Sequence, residues 1–138
     1  MIQFELNQKR SRLPLKAKLE KLSKVVFKEF KKSGTISVAI IDSKESKKLN
    51  KIYRGKDEPA NILTFVYKDE DSLGEIVLSH KEIEKEAKNK KQKITETVID
   101  LIIHGVCHIF EYKHKTKKDA LIMEEKERKI KFLWQKVN

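Results

Sequence analysis

Apolar and polar positions alternate at the start of the chain, where Ile2, Phe4 and Leu6 are separated by polar residues, and this period of two predicts a strand. The period then changes. Leu15, Leu19, Leu22, Val26 and Phe30 recur at helical spacing after Pro14, a residue suited to the first turn of a helix, and Gly34 is placed to close it. Thr35 to Ile41 is β-rich and apolar, as a buried strand would be. Asp42 with Glu45 has the form of a capping box, and it opens a short helix whose Leu49, Ile52 and Tyr53 are expected to anchor it to the core before Gly55 ends it. Ile62 to Val66 and Glu75 to Ser79 read as two further strands around the turn-like Asp69-Glu70-Asp71-Ser72, and so as a hairpin. Helical patterns follow at about 81–90, 95–110 and 117–136. A small mixed sheet of about four strands with about five helices predicts an α+β fold. With no repeat or linker in 138 residues, we expect one domain over 1–138.

Charge changes the picture more than size does. The balance is +11, from 32 Lys and Arg against 21 Asp and Glu, which favours polyanionic partners such as RNA, DNA or acidic membrane surfaces. Only four of these bases are arginines, and many of the lysines lie on helix faces as solvating charge. The single cysteine, Cys107, excludes an intrachain disulfide. No apolar run approaches the roughly 18 residues of a membrane span, and the first residues carry no apolar signal core. A soluble, reducing, cytoplasmic setting is the expectation.

Three of the four histidines fall in His104-Gly-Val-Cys-His108-Ile-Phe-Glu-Tyr-Lys-His114. His104 and His108, four apart on an apolar helix, project about 40° apart on one face and can share one ion. On a continued helix His114 would point about 240° from His108, so the helix must end and the chain curl back to deliver the third imidazole. Three histidines with no matching fourth ligand leave a position open for water, the pattern of a catalytic zinc site. Cys107 lies about 80° from the mean direction of His104 and His108, and reads as a small core residue. His80 stands outside the cluster as a surface or capping residue. Gly105 has two readings, space for substrate beside the metal or close helix packing.

The H-x3-H-x5-H spacing resembles that of metzincin peptidases, but Gly105 stands where those enzymes carry the glutamate that serves as general base. The match is closer to the YbeY family of endoribonucleases, whose motif runs H-G-x-x-H-x-x-G-Y-D-H; here His104-Gly105, His108, Tyr112 and His114 are in register. Residues Leu49 to Phe65 resemble the family's L-N-x-x-Y-R-G-x-D-x-P-T-[DN]-V-L-S-F, and Leu73 to Ser79 its L-G-D-I-V-I-S. Met123, Glu124 and Glu127 fall in its Met-Glu-rich last helix. Two positions depart: Glu111 replaces a glycine and Lys113 an aspartate.

The resemblance implies one zinc ion, with nickel or another transition metal possible in vitro, on His104, His108 and His114. It implies single-strand-specific RNA cleavage in the 3′-end maturation of small-subunit rRNA and in ribosome quality control. A small-subunit ribosomal protein or an assembly GTPase would be a further partner. A non-catalytic RNA- or ribosome-binding assembly factor with a structural metal is the alternative. By itself Arg54 reads more readily as a partner of Asp57 or a helix cap; the match of the surrounding block reverses this, since Arg54 stands where the family has its functional arginine and could grip the scissile phosphate. Asn61 and Thr64 could line a cleft, although turn and strand roles fit them better. The tract Lys113 to Lys118 is either a phosphate-tracking rim or a solvated loop. Phe132, Leu133, Trp134 and Val137 read as core or helix docking.

Overall fold

The computed structural model describes residues 1–8 and 11–137. Its elements follow the order β1 (Ile2–Gln8), α1 (Lys16–Phe30), β2 (Gly34–Ile41), α2 (Ser43–Arg54), β3 (Ile62–Val66), β4 (Ser72–Ser79), α3 (His80–Lys90), α4 (Ile94–Ile109) and α5 (Lys117–Val137). The fold is α+β, with four strands in the order β1-β2-β4-β3. β1, β2 and β4 run parallel, while β3 pairs antiparallel with β4 as the outer strand of the expected hairpin.

Alternation in β2 decides which of its faces is buried, and Ile76 and Leu78 of β4 lie in register on that face, while Val77 is buried on the other. Ile36, Val38, Ile40, Ile76 and Leu78 are enclosed on the face that meets α4. That helix is apolar nearly all round and is itself buried, as such a helix must be. Gly105 settles between its two readings here. A Cβ at that position would come within 2.9 Å of the Ile76 side chain and 3.2 Å of the Thr64 hydroxyl oxygen. Its role is therefore the close approach of α4 to the sheet rather than room for substrate. Trp134 is buried on α5, whereas Phe132 and Val137 are exposed. Among the described residues, no helix is long and apolar enough to cross a membrane.

Three local expectations are corrected. Pro14 lies before the first turn of α1, since Leu15 is the N-cap. That helix closes at Lys31, in the left-handed region at φ 53°, and Gly34 instead begins β2. In α2, Ile52 and Tyr53 do not anchor the helix: they are 66% and 62% exposed. The anchors are polar. The Ser46 hydroxyl donates to the Ala60 carbonyl and accepts from the Ala60 N–H, both at 2.9 Å, and Asn50 Nδ2 donates to the Glu58 carbonyl at 2.8 Å. A loop brought against a helix needs partners for its backbone groups, and a period of apolar residues cannot reveal that need. The Asp42 cap is as expected, its carboxylate accepting from the Glu45 N–H at 2.8 Å.

Candidate metal centre

His104 and His108 project from the last two turns of α4, and the chain beyond is shaped to return. The Glu111 N–H donates to the His108 carbonyl and the Tyr112 N–H to the Cys107 carbonyl, both at 2.9 Å. This pair of bonds is a Schellman turn, and its left-handed residue is Glu111, at φ 70°. The departure from glycine at this position therefore falls on the one residue of the turn where a side chain is strained. The turn delivers His114 to the other two imidazoles. One nitrogen from each ring lies within 4.8 Å of the others, so the three residues could hold a metal ion.

The hydrogen bonds fix which nitrogens face inward. His104 Nδ1 donates to a Glu127 carboxylate oxygen at 3.1 Å, and His108 Nδ1 donates to the Tyr112 carbonyl at 3.2 Å. In a neutral imidazole the other nitrogen then carries a lone pair. The two Nε2 atoms so defined lie 3.1 Å apart. Two lone pairs at that distance repel unless a cation lies between them. Two nitrogens bound tetrahedrally to one ion at about 2.0–2.1 Å would stand about 3.4 Å apart, so the donor set fits a transition metal. Burial, followed by the charges of His104 and His114, holds His108 below the usual imidazole range, which favours the neutral, metal-binding form. Cys107 is enclosed in the core, where burial pushes its thiol up to about 12. It is not part of the cluster, as its helical angle indicates.

A second layer backs the histidines. Lys126, beside Glu127 on α5, lies over the rings of Phe30 and Tyr112 and forms an ion pair with Glu29 at 2.7 Å. The residue that holds His104 and the residue whose carbonyl holds His108 are thus braced by one helix. The resemblance places Glu127 in the family's last helix but assigns it no task. Its place four residues after the buried Met123 was the available signal. The Tyr112 contact is made by backbone, so no side-chain identity could have announced it.

The cleft over the histidines runs along β3. Arg54, Asn61 and Thr64 line it together with Glu111 and Lys113. Arg54 is the last residue of α2, held at the cleft by the turn at Gly55, whose φ is 70°. Asp57 pairs with Lys47 instead, and no ion pair of Arg54 is formed among the described residues. Asn61 also has a structural bond, donating to Glu86 at 2.7 Å. Thr116 caps α5 through its hydroxyl, so the lysine tract is partly a helix start, with Lys113 alone on the cleft wall. His80 begins α3 and shares a hydrogen bond with Ser11, away from the cluster.

Comparison with known proteins adds independent findings. A family model described as "Endoribonuclease YbeY" matches residues 3–134. The Endoribonuclease YbeY of Buchnera aphidicola subsp. Schizaphis graminum is 38% identical over 123 residues, covering 86% of this chain and 78% of that protein. Its counterpart from Nitrosomonas eutropha is 40% identical over 100 residues, covering 72% of this chain and 71% of that protein. The solution structure of TM1509 from Thermotoga maritima matches with a TM-score of 0.71 at 30% identity, over 99% of this chain and 91% of that one.

Proposed function

Because the chain belongs to the YbeY family of endoribonucleases, we propose that it is a zinc-dependent endoribonuclease that cuts single-stranded segments of ribosomal RNA at the His104, His108 and His114 cluster. The observation that carries the metal assignment is the 3.1 Å approach of two Nε2 lone pairs whose partner nitrogens are both engaged in donating. When bound, the ion supplies Lewis acidity at the phosphodiester and eases the ionisation of water there.

The chain's own residues do the rest. Arg54 binds the scissile phosphate through its planar fork and offsets the charge that builds as the phosphorus is attacked. Lys113, which lines the same cleft, holds the strand by charge alone. Glu127 and the Tyr112 carbonyl keep His104 and His108 in the tautomer that points Nε2 inward. Glutamate at 111 and lysine at 113 leave the three imidazoles together, so the departures from the family motif are compatible with activity. The small ribosomal subunit is the natural source of the RNA, in keeping with the +11 balance.

The test is cleavage of a single-stranded RNA by chelator-treated protein, with zinc then restored, beside His108→Ala. Cleavage that returns with zinc in wild type and stays absent in the variant is expected. Cleavage indifferent to chelator would remove the metal from the reaction.

A further inference from the structure

The aromatic surface beside the histidines has no part in the proposed cleavage. Tyr53 is 62% exposed at the end of α2, although its spacing on the helix suited the core. Its ring meets that of Phe65 on β3, with centroids 5.0 Å apart and planes at 73°. An edge-to-face pair leaves an outer ring face open. Tyr53 and Phe65 line the same cleft as the three histidines, and Arg54 is the next residue. Tyr67, 42% exposed, lies two residues beyond Phe65 and donates through its hydroxyl to Glu75 at 2.9 Å. Two of the chain's three tyrosines therefore stand open at one edge of the sheet. The other exposed aromatic ring, Phe132, is on α5 and has the Lys136 ammonium over it at 4.6 Å.

A ring held by a neighbouring ring loses little freedom on binding, because a tyrosine has only two torsions to fix. An arginine beside it supplies the charge that brings a phosphate near. Together these features suit a nucleotide whose base is unpaired. Bases within a duplex already stack on their neighbours and cannot give a face to the protein, whereas a single strand can. Resting on the RNA-cleaving reading of the cleft, we infer that Tyr53, backed by Phe65, is a stacking platform for one unpaired base flanking the phosphate that Arg54 binds. The platform selects single-stranded substrate and tolerates any of the four bases, since each offers a π-face.

The test is equilibrium binding by metal-free protein, which separates binding from cleavage. The probes are a fluorescein-labelled single-stranded oligoribonucleotide and one of equal length whose central residues are abasic. Wild type should bind the intact strand about tenfold more tightly than the abasic one. Tyr53→Ala should lose that advantage while binding the abasic strand as wild type does. Tyr53→Phe should keep it, because the ring and not the hydroxyl is used; melting curves of both variants check that the exposed site tolerates the change. If Tyr53→Ala binds intact RNA as well as wild type, or if Tyr53→Phe falls as far as Tyr53→Ala, the platform is wrong. Equal, tight binding of both strands by wild type would also overturn the platform while leaving an RNA-binding cleft. Failure of wild type to bind either strand would overturn the RNA reading along with it.

Discussion

Glu127 on α5 accepts a hydrogen bond from His104 Nδ1 at 3.1 Å, so the helix after the turn fixes the direction of an imidazole on the helix before it. Carboxylates in this position orient a ligating histidine and raise its basicity, and their loss commonly costs metal affinity 10- to 100-fold. Glu127→Ala should weaken zinc binding by about that range, measured by chelator competition. Glu127→Gln, which still accepts the bond but lacks the charge, should lie between. Because the side chain is partly exposed, the fold should persist in both.

The left-handed residue of the Schellman turn gives a prediction of opposite sign. Glu111 at φ 70° carries a strain of about 1–2 kcal/mol that glycine would not. Glycine also loosens the unfolded chain, at a cost of about 0.4–1 kcal/mol. Glu111→Gly should therefore stabilise the metal-free protein by up to about 1.5 kcal/mol in urea unfolding, and Glu111→Val should destabilise it. A loss of stability in the glycine variant would mean that the glutamate side chain makes a compensating contact in the cleft.

The brace behind the site sets a pH dependence. The hydrogen bond from Lys126 is the main reason that Glu29 lies below its ordinary 4.5, and the same bond raises Lys126 above 10.5. A depressed carboxylate stabilises the fold above about pH 4.5 and loses that contribution as pH falls through its folded pKa. A raised lysine stabilises below about pH 10.5 and loses its contribution as pH rises through its folded pKa. Glu29→Gln should therefore cost about 1–2 kcal/mol across the interval between, and the melting temperatures of variant and wild type should converge at either extreme. Curves that coincide at every pH would show that the pair contributes nothing to folding, and curves that stay parallel and apart down to about pH 2 would show that the loss does not come from its ionisation.

Arg54 is exposed and forms no ion pair among the described residues, so Arg54→Ala should leave the melting temperature nearly unchanged. Its effect should appear in single-turnover cleavage of RNA by zinc-loaded protein. Losing a donor to developing charge costs on the order of 3 kcal/mol, about a hundredfold in rate. Arg54→Lys keeps the charge without the fork and should rescue poorly. Equal rates in all three proteins would remove Arg54 from the reaction.

Much of this was legible in the sequence because period and spacing report directly on geometry. The β-rich, apolar run from Thr35 to Ile41 gave a buried strand, and the His104–His108 interval gave a shared helix face. The strain at position 111 could be anticipated because a glutamate stands there where the family motif has a glycine, which would ease the turn. What escaped were partners distant in sequence or drawn from the backbone. Ser46 and Asn50 replace apolar anchors in α2 because the 58–60 segment brings polar groups that must be paired. Gly105 could be read as free space until Ile76 was known to lie against it. Tyr53 had the spacing of a core residue, yet it opens onto the cleft at the end of the helix.

The central claim is that His104, His108 and His114 together hold one metal ion. Elemental analysis of protein reconstituted with zinc and freed of excess by gel filtration tests it most directly, on wild type, on each single alanine variant and on His104→Ala/His108→Ala. One zinc per chain is expected in wild type, a reduced and readily chelated content in His114→Ala, and none in the double variant. Full zinc occupancy in the double variant would contradict the account.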